Sequence, residues 1–180
     1  MNAHPPSAKQ PTTVLAGPYG HPLHPALVAV PIGAWVCSVV LDIASRFLDA
    51  GATASHAAWW LLGIGGLGAL AAATVGVLDL FAIPSGSRAW RIALTHMTFN
   101  LAATVLFAVA WLVRRPDVAP AEGTSNWHIA LSLAALALVG VGGYLGGELA
   151  YRYGVRVADE ATQATGFNRV GTRSSDSNVH

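Results

Sequence analysis

Of 180 residues, 53 % are hydrophobic and only 11 % charged, against about 25 % charged in an ordinary soluble domain, so a surface wetted on every side is excluded. The length suits one compact domain and not two. A formal net charge of +1, with ten Lys and Arg spread thinly, excludes nucleic acid as the main partner, because phosphate binding needs a concentrated basic patch.

In chain order, residues 1–19 read as a short polar arm. They are rich in Pro, Ser and Thr and lack the apolar centre of a secretory signal, so insertion falls to the first span. A membrane helix needs about 20 mainly apolar residues, and four stretches meet that length: 25–48, 57–83, 89–113 and 127–151. None has the alternation of a barrel strand, and in lipid only helices and closed barrels satisfy their own backbone. The breaks are chemically reasonable. Gly51 lies in the first, Pro84-Ser85-Gly86-Ser87 makes the second, and Pro116, Asp117, Pro120 and Glu122 fill the third. Pro stops one helix, and a Ser is available to cap the next. Links this short make neighbouring helices antiparallel, which predicts an all-α, integral membrane, up-down four-helix bundle over residues 20–157. Residues 158–180 are polar, rich in Gly, Ser and Asn and without an apolar face, and read as a disordered tail.

Flanking positive charge orients the spans. The side holding both termini carries Lys9, Arg88, Arg91, Arg152 and Arg156, and the other carries Arg46, Arg114 and Arg115. Five against three predicts that both termini lie in the cytoplasm. Trp59, Trp60, Trp111 and Trp127 fall at the outer ends and Trp90, Tyr151 and Tyr153 at the inner ends, as interfacial aromatics should. Small residues recur every four positions in spans two and four: Gly65, Ala69 and Ala73, Gly68, Ala72 and Gly76, Gly142 and Gly146, Gly143 and Gly147. Such seams let helices approach closely, within the bundle or in a homo-oligomer, or leave a slot for a flat cofactor. The lone Cys37 reads as a small buried hydrophobe. No exact repeat of 20 to 50 residues is visible, which excludes a solenoid.

Ionisable groups inside a membrane are costly and default to functional candidates. Counted from its own helix end, each span places such groups at the cytoplasmic level: His21 and His24, Asp79, Arg88 with Arg91, His96 and Asn100, and Glu148. His96 and Asn100 are four apart and share a helix face. His96 lies roughly 10 Å into its helix, too deep to reach bulk water. It needs a partner: a carboxylate, a metal, a haem iron, or a carbonyl in a purely structural role. In His21-Pro22-Leu23-His24-Pro25 each proline restrains the histidine before it to extended geometry, and Pro25 fits as the first helical residue. Local pairs explain the remaining charges: Glu148 with Arg152, Asp42 with Arg46, and Asp79 with Arg88 or Arg91. His56 and His128 fall at outer helix ends, where imidazoles are commonly exposed. Nothing resembles a nucleophile triad, a phosphate loop or a metalloprotease helix, so no stand-alone enzyme is expected.

Four motifs resemble a known family. Gly20-His21-Pro22-Leu23-His24-Pro25 with Pro31-Ile32-Gly33, Gly76-Val77-Leu78-Asp79 with Ile83-Pro84, Ala93-Leu94-Thr95-His96 with Asn100, and Gly146 through Val155 resemble, in order, the motifs of the bacterial membrane family termed domain of unknown function 2231. Many relatives have histidine where this chain has Tyr153. Relatives are sometimes fused to Rieske-type or cytochrome c-like domains, which implies membrane redox work by association. The expectation is a small redox or haem-binding subunit, with haem b as cofactor and a redox protein as partner. In it, His24 and His96 ligate the metal, His21 is the reserve ligand, Arg88 and Arg91 meet haem propionates, and Asn100, Asp79 and Glu148 support the site or handle protons. A proton or ion transport component and a non-catalytic assembly subunit are the alternatives.

Overall fold

In a computed structural model, which describes residues 6–9, 21–114 and 123–167, four helices are long and apolar enough to cross a membrane: Leu23–Ala44, Gly51–Phe81, Arg88–Val113 and Asn126–Arg152. The chain is an all-α, four-helix membrane protein. Phe47, Leu67, Phe81, Leu101 and Leu112 point outwards, an apolar exterior that suits lipid and not water.

The first span is two helices, α2 (Leu23–Leu27) and α3 (Ala29–Ala44), preceded by the single turn α1 (Pro6–Lys9). The break at Val28 has a covalent cause. Pro31 has no N–H, and its ring would strike the carbonyl of Leu27 in an unbroken helix. The segment starts at Leu23, ahead of Pro25, so His24 is helical and not extended as its neighbouring proline suggested. A proline is tolerated in a first turn, where its missing N–H has no intrahelical acceptor to lose.

Next come α4 (Gly51–Phe81), α5 (Arg88–Val113) and α6 (Asn126–Gly147). The last continues as a π-helical turn, Glu148–Arg152. Helix α4 begins six residues before the expected boundary because Ala52 to His56 are compatible with helix, and no proline stops them. At α5, the Ser87 hydroxyl accepts the Trp90 backbone N–H at 3.1 Å and caps the helix. Ser87→Ala is expected to cost about 1 kcal/mol, seen as a lower thermal midpoint of the detergent-solubilised protein, with Ser87→Asp close to wild type.

Beyond the bundle, the short helix α7 (Glu160–Thr165) lies within the stretch expected to be disordered. Residues 168–180 of that tail, and residues 1–5 and 10–19 of the N-terminal arm, fall outside the described residues.

The helices form a ring in the order α3, α4, α5, α6. The closest pairs are α3 with α4 and α5 with α6, so the bundle is two antiparallel hairpins set side by side. Glycines make those pairings tight. A methyl at Gly65 would enter the Trp35 ring, and at Gly68 one would meet Val30 and Pro31. Both expected seams of α4 therefore meet the first span, whereas only one of the two in α6 is used. Gly142 and Gly146 face α5, while Gly143 opens onto empty space. Cys37 is exposed and not buried as expected, because its position on α3 lies opposite the face carried by Trp35, Ser38 and Asp42.

Across the ring's diagonal, Trp35 of α3 stacks on Phe107 of α5, with ring centres 4.3 Å apart and planes 17° from parallel. Leu62, Ala103, Ala110, Ala135 and Val139 close round them. A stacked aromatic pair adds about 0.5–1.5 kcal/mol to its area burial, and this one fills the middle of the bundle.

Candidate functional site

At one end of the bundle two imidazoles meet. His24 is on the first turn of α2 and His96 is in the third turn of α5. Their ring centres are 6.3 Å apart, with planes nearly perpendicular at 83°. Because α2–α3 and α5 stand diagonally opposite, the pair occupies the interior and is half-buried.

Each ring is held in the same way. His24 Nδ1 lies 2.9 Å from the Ala72 carbonyl oxygen, and His96 Nδ1 lies 2.7 Å from the Gly142 carbonyl oxygen. A carbonyl only accepts, so both Nδ1 atoms carry the proton. In the neutral rings that fixes the tautomer, and each Nε2 keeps a lone pair. Glycine one turn further along each anchoring helix makes room. A methyl at Gly76 would lie 3.0 Å from the His24 ring, and one at Gly146 would lie 3.0 Å from the His96 ring. Asn100 is a brace that stands directly beside the pair, its Nδ2 3.3 Å from His96 Nδ1. Its Nδ2 donates to the His96 carbonyl at 2.8 Å, and its side chain fills the notch above Gly142.

The other candidates spread out from this pair. His21 is exposed, and so are Arg88 and Arg91. The two arginines line a shallow surface depression with Ile92, Thr95 and Glu148. Glu148 takes its expected partner, Arg152, at 3.0 Å. Asp79 does not pair with Arg88 or Arg91. Its partner is Arg156, whose Nε donates to Asp79 Oδ1 at 2.8 Å, with both side chains buried. Arg156 reaches it from a left-handed backbone, φ 59°, a conformation that costs a non-glycine residue about 1–2 kcal/mol. The Arg156 N–H also donates to the Ala8 carbonyl at 2.9 Å.

A second polar layer sits at the opposite end. Asp42 pairs with Arg114, not with Arg46: Nη1 and Nη2 donate to the two carboxylate oxygens at 2.8 and 2.6 Å. The Thr124 hydroxyl donates to Asp42 Oδ1 at 2.9 Å and stands 2.8 Å from the Ser55 hydroxyl. Arg46 instead donates to the Thr124 carbonyl at 3.3 Å. Gly123, φ 79°, lies against the Ser45 carbonyl, where no side chain fits.

What the residue-by-residue reading missed is the shared design of the two histidines. The carbonyls of Ala72 and Gly142 leave no side-chain signal. The spacing does: Trp35 and Asp42 follow His24 by the same intervals at which Phe107 and Arg114 follow His96. Among the described residues, no third His, Cys, Asp or Glu joins the pair as a metal-binding group.

The family model DUF2231, described as a predicted membrane protein, matches residues 20–159. No curated protein and no solved structure matches the chain.

Proposed function

The chain belongs to the DUF2231 family of predicted membrane proteins, and on that premise we propose that it is a haem-binding redox subunit in which His24 and His96 ligate one iron from opposite sides. The observation that carries this is the matched pair of imidazoles, each with Nδ1–H tied to a backbone carbonyl and Nε2 free. Ligating histidines almost always donate their second N–H in this way, which fixes the ring and raises its basicity. The separation supports the same reading. The 6.3 Å between ring centres would let both imidazoles hold one metal, each at about 2.0 Å. With only two protein donors, the group they would hold is a tetrapyrrole that brings its own remaining ligands.

A bound haem supplies one-electron transfer at a potential set by axial ligands, hydrogen bonding and burial. This chain's residues do the rest. Ala72 and Gly142 orient the imidazoles, Asn100 braces the His96 backbone, and Trp35 with Phe107 excludes water from above. Arg88 and Arg91 stand eight and five residues before His96 on the same helix, and their guanidinium groups suit propionate carboxylates. Asp79, neutralised by Arg156, lies one helical turn beyond Gly76 and lends the site a balanced charge. His21 is the reserve ligand at the entrance. Five flanking Lys and Arg at the histidine end against three at the other favour the histidine end in the cytoplasm of a bacterial inner-membrane protein. A redox protein docking at that end is the partner this reading implies. Transport is the weaker alternative, since Trp35, Phe107 and Leu62, all nearly inaccessible, close the interior between the two polar layers.

The test is a reduced-minus-oxidised absorption spectrum of the detergent-purified protein from haem-supplied cells. The expected result is sharp α and β bands of a low-spin haem after dithionite. A colourless preparation, with no change on reduction and none after adding hemin, overturns the proposal.

A further inference from the structure

Three layers cross the bundle interior: His24 with His96, Trp35 with Phe107, and Asp42 with Arg114. In each, the second residue follows the first by the same 72 positions. Helices α4 and α6 repeat the pattern with an offset of 70: Gly65, Ala72 and Gly76 against Ala135, Gly142 and Gly146. The matched positions do matched work. Ala72 and Gly142 each offer a carbonyl to an imidazole, and Gly76 and Gly146 each make room for that ring. Gly65 lies under Trp35, and Ala135 shares the buried cluster of Phe107. Leu62 and Ser132, also 70 apart, are both inaccessible.

We propose that the α2–α4 hairpin and the α5–α6 hairpin are two copies of one unit, and that the face bearing His24, Trp35 and Asp42 is an interface whose fitted partner is a second hairpin of the same design, supplied here in the same chain. A pseudo-two-fold axis runs along the bundle, because α3 and α5 run parallel. Contacts that cross such an axis are self-complementary, each position meeting its own equivalent. The layers differ in how far the copies have diverged. The imidazole layer is still identical. The aromatic layer has become large over small: Trp35 sits on Gly65, while the smaller Phe107 accompanies Ala135. The charge layer has become opposite, carboxylate against guanidinium, and an identical pair of either sign there would repel. Two identical copies of the present first hairpin would bury Asp against Asp, and two of the second Arg against Arg, so only unlike hairpins match. The inference rests on these repeats alone and stands whether or not a haem binds.

Exchange across the axis tests it in the full chain. Trp35→Phe with Phe107→Trp forces an indole against the Ala135 methyl and is expected to lower the thermal midpoint and the yield of monodisperse protein several-fold. Adding Gly65→Ala and Ala135→Gly moves the notch with the ring and is expected to restore both. A four-residue exchange no better than the two-residue one overturns the interface code. Spin labels supply a measurement that leaves the core intact. With Cys37→Ala, the exposed pairs Val40→Cys/Gly140→Cys and Leu112→Cys/Leu70→Cys are related by the axis and are expected to give superimposable distance distributions. Means that differ by more than one helical turn, about 5 Å, overturn the two-fold.

Discussion

Arg114→Met is expected to destabilise the protein by about 3–5 kcal/mol, the loss typical when one partner of a buried ion pair is removed. The reason is geometric. Asp42 is fully inaccessible and Arg114 nearly so, with 0 % and 7 % of their side chains exposed. Without the guanidinium, the carboxylate keeps one hydroxyl donor, Thr124, and no compensating charge. The cost is the stranded group, not the bond that was lost. Asp42→Leu combined with Arg114→Met is therefore expected to recover most of the stability, because well-packed apolar groups often replace a buried pair at little cost. The Arg114 Nε–H has no partner among the described residues, so the native pair is itself incompletely compensated, which favours that recovery. Thermal unfolding in detergent, followed by the retained monodisperse fraction, measures both variants. A single variant within about 1 kcal/mol of wild type would mean that water reaches Asp42 and that the layer is not dry.

How far the amino-acid order reveals this molecule depends on the range of the interaction concerned. Hydropathy locates all four spans, because crossing lipid requires a continuous apolar run. Counting residues from the helix ends brings His24 and His96 to one depth, and the structure brings them together. Charge partners are a different matter. Glu148 and Arg152 are four apart and do pair, as a local rule predicts. Asp42 and Asp79 pass over their local candidates for Arg114 and Arg156, 72 and 77 residues away. Periodicity carries no information about which distant helix faces a carboxylate. The same limit applies to the small-residue seams. Gly142 and Gly143 satisfy the same spacing, and only the position of α5 makes one an interface and the other open. Val28 is intermediate in kind: Pro31 announces a break in the helix, but a single apolar run hides it.

On the proposed haem-binding function, Gly146→Val is expected to weaken haem binding at least 10-fold without unfolding the bundle, and His24→Ala or His96→Ala to abolish the haem spectrum. The Val methyls would enter space in which a bare Cβ already comes within 3.0 Å of His96 Cε1 and 3.3 Å of Nδ1. The ring must shift, and its 2.7 Å bond to the Gly142 carbonyl lengthens with it. Losses of about 10- to 100-fold are typical when the group that orients a ligating histidine is disturbed. Gly143→Val is the matched control. It lies on the same helix, its added Cβ meets nothing within 4 Å, and it should bind haem as wild type does. Titration with hemin, read by the rise of the low-spin band, ranks the four variants. Equal loss from His24→Ala and His96→Ala is the signature of two equivalent donors on one iron. If His96→Ala removed the band and His24→Ala left it intact, the second ligand would have to come from elsewhere. His21, three residues before His24 and exposed, would be the first place to look.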